Sequence, residues 1–475
     1  MKKEIKMNAE VIEKVNSYID SQKDNIIRDL ADAASIESVS LDNDEVKPFG
    51  PGCRKVLDLM LKKGADAGFE ARNYEYYVGS VKLDAGKDES IGILAHLDVV
   101  PAGNDWTVTE PYTPLLKDGY LFGRGTGDNK SAAVGGLYIM KALREAGVEL
   151  NHNIELLLGT SEETGMDDMK YYTEHYESPK FTFVPDGGFP GVGGEFGRVR
   201  YTLTSNEPLS DDFISMEAGS AFNIVPNKAV AVLKKDTAID YSSLGESFTV
   251  TEKDDCVEIV ANGVSTHAAR PEAGTNAVYV LTDGLVKLSG LKPEDRMIIE
   301  FLNNINADYY GSFLGIDFTD EVSGTTVSSG TVLRFDNGHV SLLNDCRRAV
   351  TDSNDRLIEN ITKKADEWGF TLSVQEMTNG YALDVNGPLI QAVKKVYVDE
   401  TGDTESTIGI GKGGTYAGAL PRAFATGVIL RGDNRPELPQ GHGGGHQPDE
   451  FIVVDDYLRG IKLLMKMILT VDEIL

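Results

Sequence analysis

The sequence predicts an α/β protein in which a mostly parallel sheet flanked by helices is interrupted by an inserted α+β domain. Three observations lead there. Short apolar runs that stop at polar residues, such as SIGILAH and NIELLLG, alternate with stretches of helical spacing, as buried strands and their crossovers do. From residue 191 to residue 384 the texture becomes more polar and alternating, as in RVRYTLT and FTVTEKDDCVEIVA. From residue 385 the first pattern resumes. Residues 1–190 and 385–475 are therefore expected to form one domain in two segments, and 191–384 an insert whose length suggests two subdomains.

Composition bounds the function. A chain of 475 residues can bury a large interior, and 41% hydrophobic residues with 50 glycines and 17 prolines describe an ordinary turn-rich globule. Against 75 Asp and Glu there are 46 Lys and Arg, a formal charge of −29, and no basic cluster that would neutralise phosphates. Nucleic acid and anionic membrane are not expected partners. Three scattered cysteines, Cys53, Cys256 and Cys346, have no CxxC spacing and support neither a disulfide framework nor a thiolate metal site. The charged N-terminus reads as an amphipathic helix rather than a signal peptide, and no apolar run approaches the roughly 18 residues that span a bilayer. A cytoplasmic protein is expected.

Along the chain, each apolar run of the first segment ends in a metal-ligating type of residue. SIGILAHLD stops at His96, with Asp98 two residues on and able to accept the second imidazole N–H. YLFGRGTGDNK places Asp128 in a Gly-rich turn before a helix expected over residues 131–146, where Gly123, Gly125 and Gly127 permit positive φ. NIELLLGTSEETG ends in Glu162 and Glu163, whose side chains leave the backbone in different directions, so that one can bind a metal while the other faces the reacting water as a base. KFTFVPDGG ends at Asp186. In the closing segment the loop GHGGGHQPDE carries His442 and His446. His446 is favoured as a ligand, because glycines precede it and a helix is expected directly after Gln-Pro-Asp-Glu. Within the insert, Asn223, His267 and Arg347 stand out, each with a structural reading of equal weight: turn residue, helix N-terminal residue and surface ion pair.

Two histidines and three carboxylates are too many donors for one tetrahedral ion and suit two. With Asp128 bridging, one ion takes His96 and Asp186, and the other takes Glu163 and His446. Imidazole with carboxylate favours zinc, with manganese or cobalt as substitutes.

In order, HLDVVPAG, GRGTGDNKS, TSEETG, PDGGF and HQPDE resemble the co-catalytic zinc hydrolases of the aminoacylase and carboxypeptidase G superfamily. The insert's length, STHAARPEAGTNA, FNIVPN and GKGGTYA look like the dipeptidase V, or Xaa-His dipeptidase, branch, which is similar to carnosine-cleaving enzymes. The resemblance implies two zinc ions with the ligands just named, Glu162 as general base and cleavage of unblocked short peptides. It further implies a lid in which His267 polarises the carbonyl, and Arg347, with backbone N–H groups near Gly414 and Thr415, grips the substrate carboxylate; Asn223 is carried over beside them. A monomer is expected, because the long insert of this branch supplies its own lid histidine. CRRAV departs from the family's usual Arg, aromatic, Pro and leaves Arg348 as an alternative clamp. Hydrolysis of N-acyl amino acids or diaminopimelate derivatives is the nearest enzymatic alternative. A catalytically silent metal- or peptide-binding protein is the alternative from another class, against which the presence of Glu162 argues.

Overall fold

The computed structural model describes residues 9–41, 46–235 and 239–475. These form two compact units. One comprises the chain up to Gly194 with Leu383–Gly409 and Thr415–Leu475; the other comprises Glu195–Ala382 with Ile410–Gly414.

The first unit is built on a six-stranded sheet in the order Glu70–Tyr74, Val78–Leu83, Asn153–Gly159, Ser90–His96, Phe181–Val184, Ala423–Ala425. Its first three strands pair antiparallel, and Asn153–Gly159, Ser90–His96, Phe181–Val184 and Ala423–Ala425 run parallel. Ser90–His96 lies inside the sheet and is buried from Ile91 onward, which is why it reads as a continuous apolar run rather than an alternating one. Helix Lys130–Glu145 crosses Ser90–His96 and Asn153–Gly159. Its Gly136 lets it approach closely, since a side chain there would meet Leu156 and Ile93. On Val78–Leu83, Val81 faces Gly64 of helix Gly50–Asp66. The expected N-terminal helix is present as Ala9–Ser21 and Lys23–Ala34; residues 1–8, part of that expectation, lie outside the described residues, as do residues 42–45 of the loop that follows.

The second unit holds an eight-stranded sheet with one continuous hydrophobic core under helices Ala277–Val286, Pro293–Ile305 and Asn354–Glu367. Two four-strand halves exist, but Phe213–Ala218 joins Val327–Asp336 through Ala218 and Leu333, making the sheet continuous. The short return Ile410–Gly414, read from sequence as part of the closing segment, also belongs to this unit. Gly411 bridges to Glu195, and Phe196 N–H donates to the Gly411 carbonyl at 2.9 Å.

The closing helix Val454–Ile474 seats the end of the first unit through Gly460, where an added methyl would meet the Val428 carbonyl. Gly460→Ala is expected to destabilise the protein by about 1–3 kcal/mol, because overpacking outweighs the roughly 1 kcal/mol gained in helix propensity. Denaturant unfolding measures this, and a stabilised variant would contradict the close approach.

Candidate metal centre

Parallel strands set their carboxyl ends side by side, so residues just beyond them converge. His96 closes Ser90–His96, Glu162 and Glu163 follow Asn153–Gly159, and Asp186 follows Phe181–Val184. The His96 ring is 1% exposed. Its Nδ1 lies 2.9 Å from the Asp98 main-chain carbonyl, which can only accept, so Nδ1 carries the proton and Nε2 faces the carboxylates. Nε2 is 3.0 Å from Asp128 Oδ1 and 3.7 Å from Asp186 Oδ1. The other Asp128 oxygen, Oδ2, is 3.3 Å from His446 Nε2, and that nitrogen is 2.8 Å from Glu163 Oε1. Asp128 therefore has one imidazole on each oxygen.

Donor atoms of His96, Asp128 and Glu163 lie within 4.8 Å of one another, as do those of His96, Glu162 and Asp186. Four carboxylates crowd around two imidazoles, and the consequences differ by position. Burial pushes Glu162 well above the usual carboxylate range, reinforced by the charge of Asp186. Burial likewise raises Asp186, to about 6, against the pull of His96. Asp128 is also buried, but hydrogen bonds from His446 and His96 hold it well below its ordinary value. Hydrogen bonds to Asp128 and Glu163 raise His446 to about 10, and His96 is held well above its ordinary value by Asp186 and Asp128 although burial opposes this. A cluster with surplus negative charge and nitrogen and oxygen donors fits divalent cations.

Two placements differ from the sequence reading. The Asp98 carboxylate, assigned there to the second imidazole N–H, lies 3.6 Å from His96 Nδ1. Fully buried, it instead accepts the main-chain N–H groups of Glu162 at 3.1 Å and Glu163 at 3.0 Å, so Asp98 holds His96 with its carbonyl and the Glu-Glu turn with its side chain. Glu162, read as facing only the water, stands within ligand range of His96 and Asp186, where it can act on a water or serve as a further donor.

His446 has φ +64, in the left-handed region, and the segment after it differs from expectation. HQPDE leads into strand Phe451–Val453, which pairs antiparallel with Tyr120–Phe122, and only then into the helix. That pairing docks the histidine loop against the turn bearing Asp128. In that turn Gly123 and Gly125 take positive φ, and Gly127 does not.

Sequence reasoning missed the groups that hold these turns. Glu450, 1% exposed, accepts N–H groups from Gly125 at 3.1 Å, Gly127 at 2.8 Å and Asp128 at 3.0 Å, and its Oε2 is 2.7 Å from Arg124. Asp168 accepts N–H groups from Thr160 and Ser161 at 2.6 and 3.0 Å, ahead of Glu162, and the Tyr416 hydroxyl. Asn129 donates to Asp186 Oδ1 at 3.0 Å. An acidic residue after a proline looks like a helix cap in sequence, and no pattern marks Glu450 as an acceptor for a turn more than 300 residues away.

In the second unit, Ile224–Val225 pairs with Thr266–His267, and the Asn223 carbonyl accepts the Ala268 N–H at 2.8 Å. His267 lies in a short strand rather than at a helix start. Its Nδ1 accepts the Ala269 N–H at 3.0 Å, so the neutral ring carries its proton on Nε2, and burial with the nearby Arg347 charge holds its pKa below the ordinary value. Arg347, expected to offer an open fork, is 4% exposed and bonded through Nε and Nη2 to Asp345 at 2.7 and 2.9 Å, with Nη1 donating to the Lys412 carbonyl at 3.1 Å. Strand alternation turns Arg348 to the other face, where it donates to the main-chain carbonyls of Ala349, at 3.3 Å, and Asp352. Gly414 packs under the Arg198 guanidinium with no room for a side chain. Thr415, in the first unit, caps Tyr416–Ala419 by accepting the Ala417 N–H at 3.1 Å.

Glu450→Ala removes the acceptor for three turn N–H groups and strands the Arg124 charge. Divalent-cation affinity is expected to fall about 10- to 100-fold, the usual cost of losing an outer support, with stability lower by about 3–5 kcal/mol. Calorimetric titration of zinc into the metal-depleted variant tests this; unchanged affinity would show that the turn holds itself.

The chain is similar to known proteins along nearly its whole length. A Beta-Ala-Xaa dipeptidase from Lactobacillus delbrueckii subsp. lactis is 30% identical over 475 residues, covering 96% of this chain and 98% of that protein. Among solved structures, human carnosine dipeptidase 1 is similar in fold with a TM-score of 0.56 at 15% identity, over 98% of this chain and 99% of that one. Aminoacylhistidine dipeptidase from Vibrio alginolyticus follows with a TM-score of 0.55 at 14% identity, over 92% and 95%. Residues 92–470, which run from the strand of His96 through His446, match the description of peptidase family M20/M25/M40, and the chain belongs to that family.

Proposed function

We propose that this protein is a metal-dependent dipeptidase that hydrolyses unblocked short peptides, Xaa-His dipeptides among them, using two zinc ions for which manganese or cobalt can substitute. The observation that carries this reading is the Asp128 carboxylate with an imidazole on each oxygen, flanked by Glu163 and Asp186. His96 and Asp186 would hold one ion, Glu163 and His446 the other, and Asp128 both. Family membership and the Beta-Ala-Xaa dipeptidase among its relatives support the substrate class. Cations bound there polarise the scissile carbonyl and lower the pKa of a water from about 15.7 toward 7.

The chain's own groups do the rest. Glu162, whose affinity for a proton burial raises, accepts a proton from the attacking water and delivers it to the leaving amine nitrogen. His267 is kept neutral by burial and Arg347, with its proton on Nε2, and donates to the carbonyl oxygen as negative charge develops. Arg347, with Asn223 and the main-chain N–H groups at Gly414 and Thr415, would take the substrate's carboxylate by sharing a fork that Asp345 and the Lys412 carbonyl already engage. We also infer a cytoplasmic monomer. The insert that carries His267 in the same chain supports the monomer, and three free cysteines fit a reducing compartment. Among the described residues, no helix is long and apolar enough to cross a membrane.

A panel of free dipeptides beside acetylated amino acids, assayed with and without chelator, tests the substrate class. Turnover of the dipeptides that vanishes with chelator and returns with zinc is expected; preference for the acetylated compounds would replace this reading with an amidohydrolase. Glu162→Ala should keep its metal content and lose about 100-fold or more in turnover, and undiminished turnover would place the base elsewhere. His267→Ala should lower kcat by about 100-fold with little effect on metal content; because a proton on Nδ1 would face the Ala269 N–H that Nδ1 accepts and so turn the ring out of place, wild-type activity should fall as acid protonates His267, at a pH below its ordinary titration range. A variant that retains full kcat would remove His267 from the reaction.

A further inference from the structure

The eight-stranded sheet buries one face under helices and carries charge on the other. Along Gly197–Ser205, Val199, Tyr201 and Leu203 point into the core, so Arg198 and Arg200 point away from it. Register sets Arg198 opposite Arg347, Arg200 opposite Asp345, and Glu376 opposite Arg200, so that all five charged side chains share one patch. Arginines directly across a strand pair repel, and a stable sheet needs something to offset that.

The carboxylates present do not fully do so. Asp345 is taken in bidentate fashion by Arg347. Glu376 is divided, with Oε1 3.1 Å from Arg198 Nη1 and Oε2 2.8 Å from Arg200 Nη2. Three guanidiniums thus face two carboxylates. Arg200 has a second support, its guanidinium lying 3.6 Å over the ring of Phe222, beside Asn223. Arg198 has no such ring among the described residues: its Nε, like that of Arg200, is buried with no hydrogen-bond partner among them, and its Nη2 lies over Gly414. A buried donor left unmatched in a surplus of positive charge calls for an acceptor. The same surplus depresses His267, on which burial, Arg347, Arg270 and Arg198 all act in one direction.

We propose that Arg198 binds a carboxylate of the peptide substrate and is a specificity-determining residue of this enzyme, acting beside an Arg347 whose fork Asp345 already occupies. This rests on the dipeptidase reading. The carboxylate can be the substrate's C-terminus or an acidic side chain, and the same assay separates them. Initial rates are measured for Ala-Ala, Ala-Ala amide and Ala-Asp with the metal-loaded wild type, Arg198→Ala and Arg198→Lys, with thermal unfolding of each variant as a check on folding. Capture of the C-terminus predicts that Arg198→Ala raises KM for both free dipeptides about tenfold or more with a much smaller change in kcat, leaves the amide unaffected, and is partly rescued by lysine. A KM increase confined to Ala-Asp assigns the site to an acidic side chain and also supports the proposal. Unchanged KM for all three, or an equal increase for the amide, overturns it while leaving the dipeptidase reading intact. Failure of the wild type to cleave any dipeptide overturns both.

Discussion

One shared carboxylate organises the first unit. Asp128 meets His96 on one oxygen and His446 on the other, from strands and loops separated by most of the chain. Around it Glu162, Glu163 and Asp186 bring three further carboxylates into a largely buried space, where desolvation, reinforced by like charge, raises the pKa of Glu162 and Asp186. Such a cluster is poorly balanced by two imidazoles. Protons or divalent cations must make up the difference, and the imidazole-carboxylate donor set favours the cations. Metal binding and folding of this region are accordingly expected to be coupled.

The side chains proposed to hold the cations are positioned largely through main-chain groups. Asp98 grips the N–H groups of Glu162 and Glu163, Asp168 those of Thr160 and Ser161, and Glu450 those of the turn that presents Asp128. Each carboxylate is fully or almost fully buried, and each satisfies donors that would otherwise be stranded. The closing segment does two things at once, since HQPDE supplies His446, whose Nε2 meets Asp128 and Glu163, and Glu450, which accepts N–H groups of the turn that bears Asp128.

Residues at strand ends were the legible part of the site. A parallel strand buried on both faces is apolar until it stops, so His96, Glu162, Glu163 and Asp186 each follow a visible boundary, and the helix after Asp128 lies within one residue of its expected limits. Groups whose role depends on a partner distant in sequence were not legible. Glu450 acts on main-chain atoms near Gly125, Asp345 occupies Arg347 through side-chain geometry, and the continuity of the insert's sheet depends on one residue pair, Ala218 with Leu333. Arg198 sat in plain view in RVRYTLT, where alternation marks it as pointing away from the core. Period-two patterning gives the face but not the neighbours, and it is the neighbours, Arg347 across the strand and Gly414 beneath, that separate it from an ordinary solvated arginine.

The claim on which the chemistry depends is that Asp128 is shared by two cations. Crystals of the zinc-loaded protein, with diffraction recorded on either side of the zinc absorption edge, test it most directly. Two anomalous peaks about 3.5–4 Å apart, one on each oxygen of Asp128, are the expected result. A single peak away from Asp128, or none among His96, Glu163, Asp186 and His446, would contradict it.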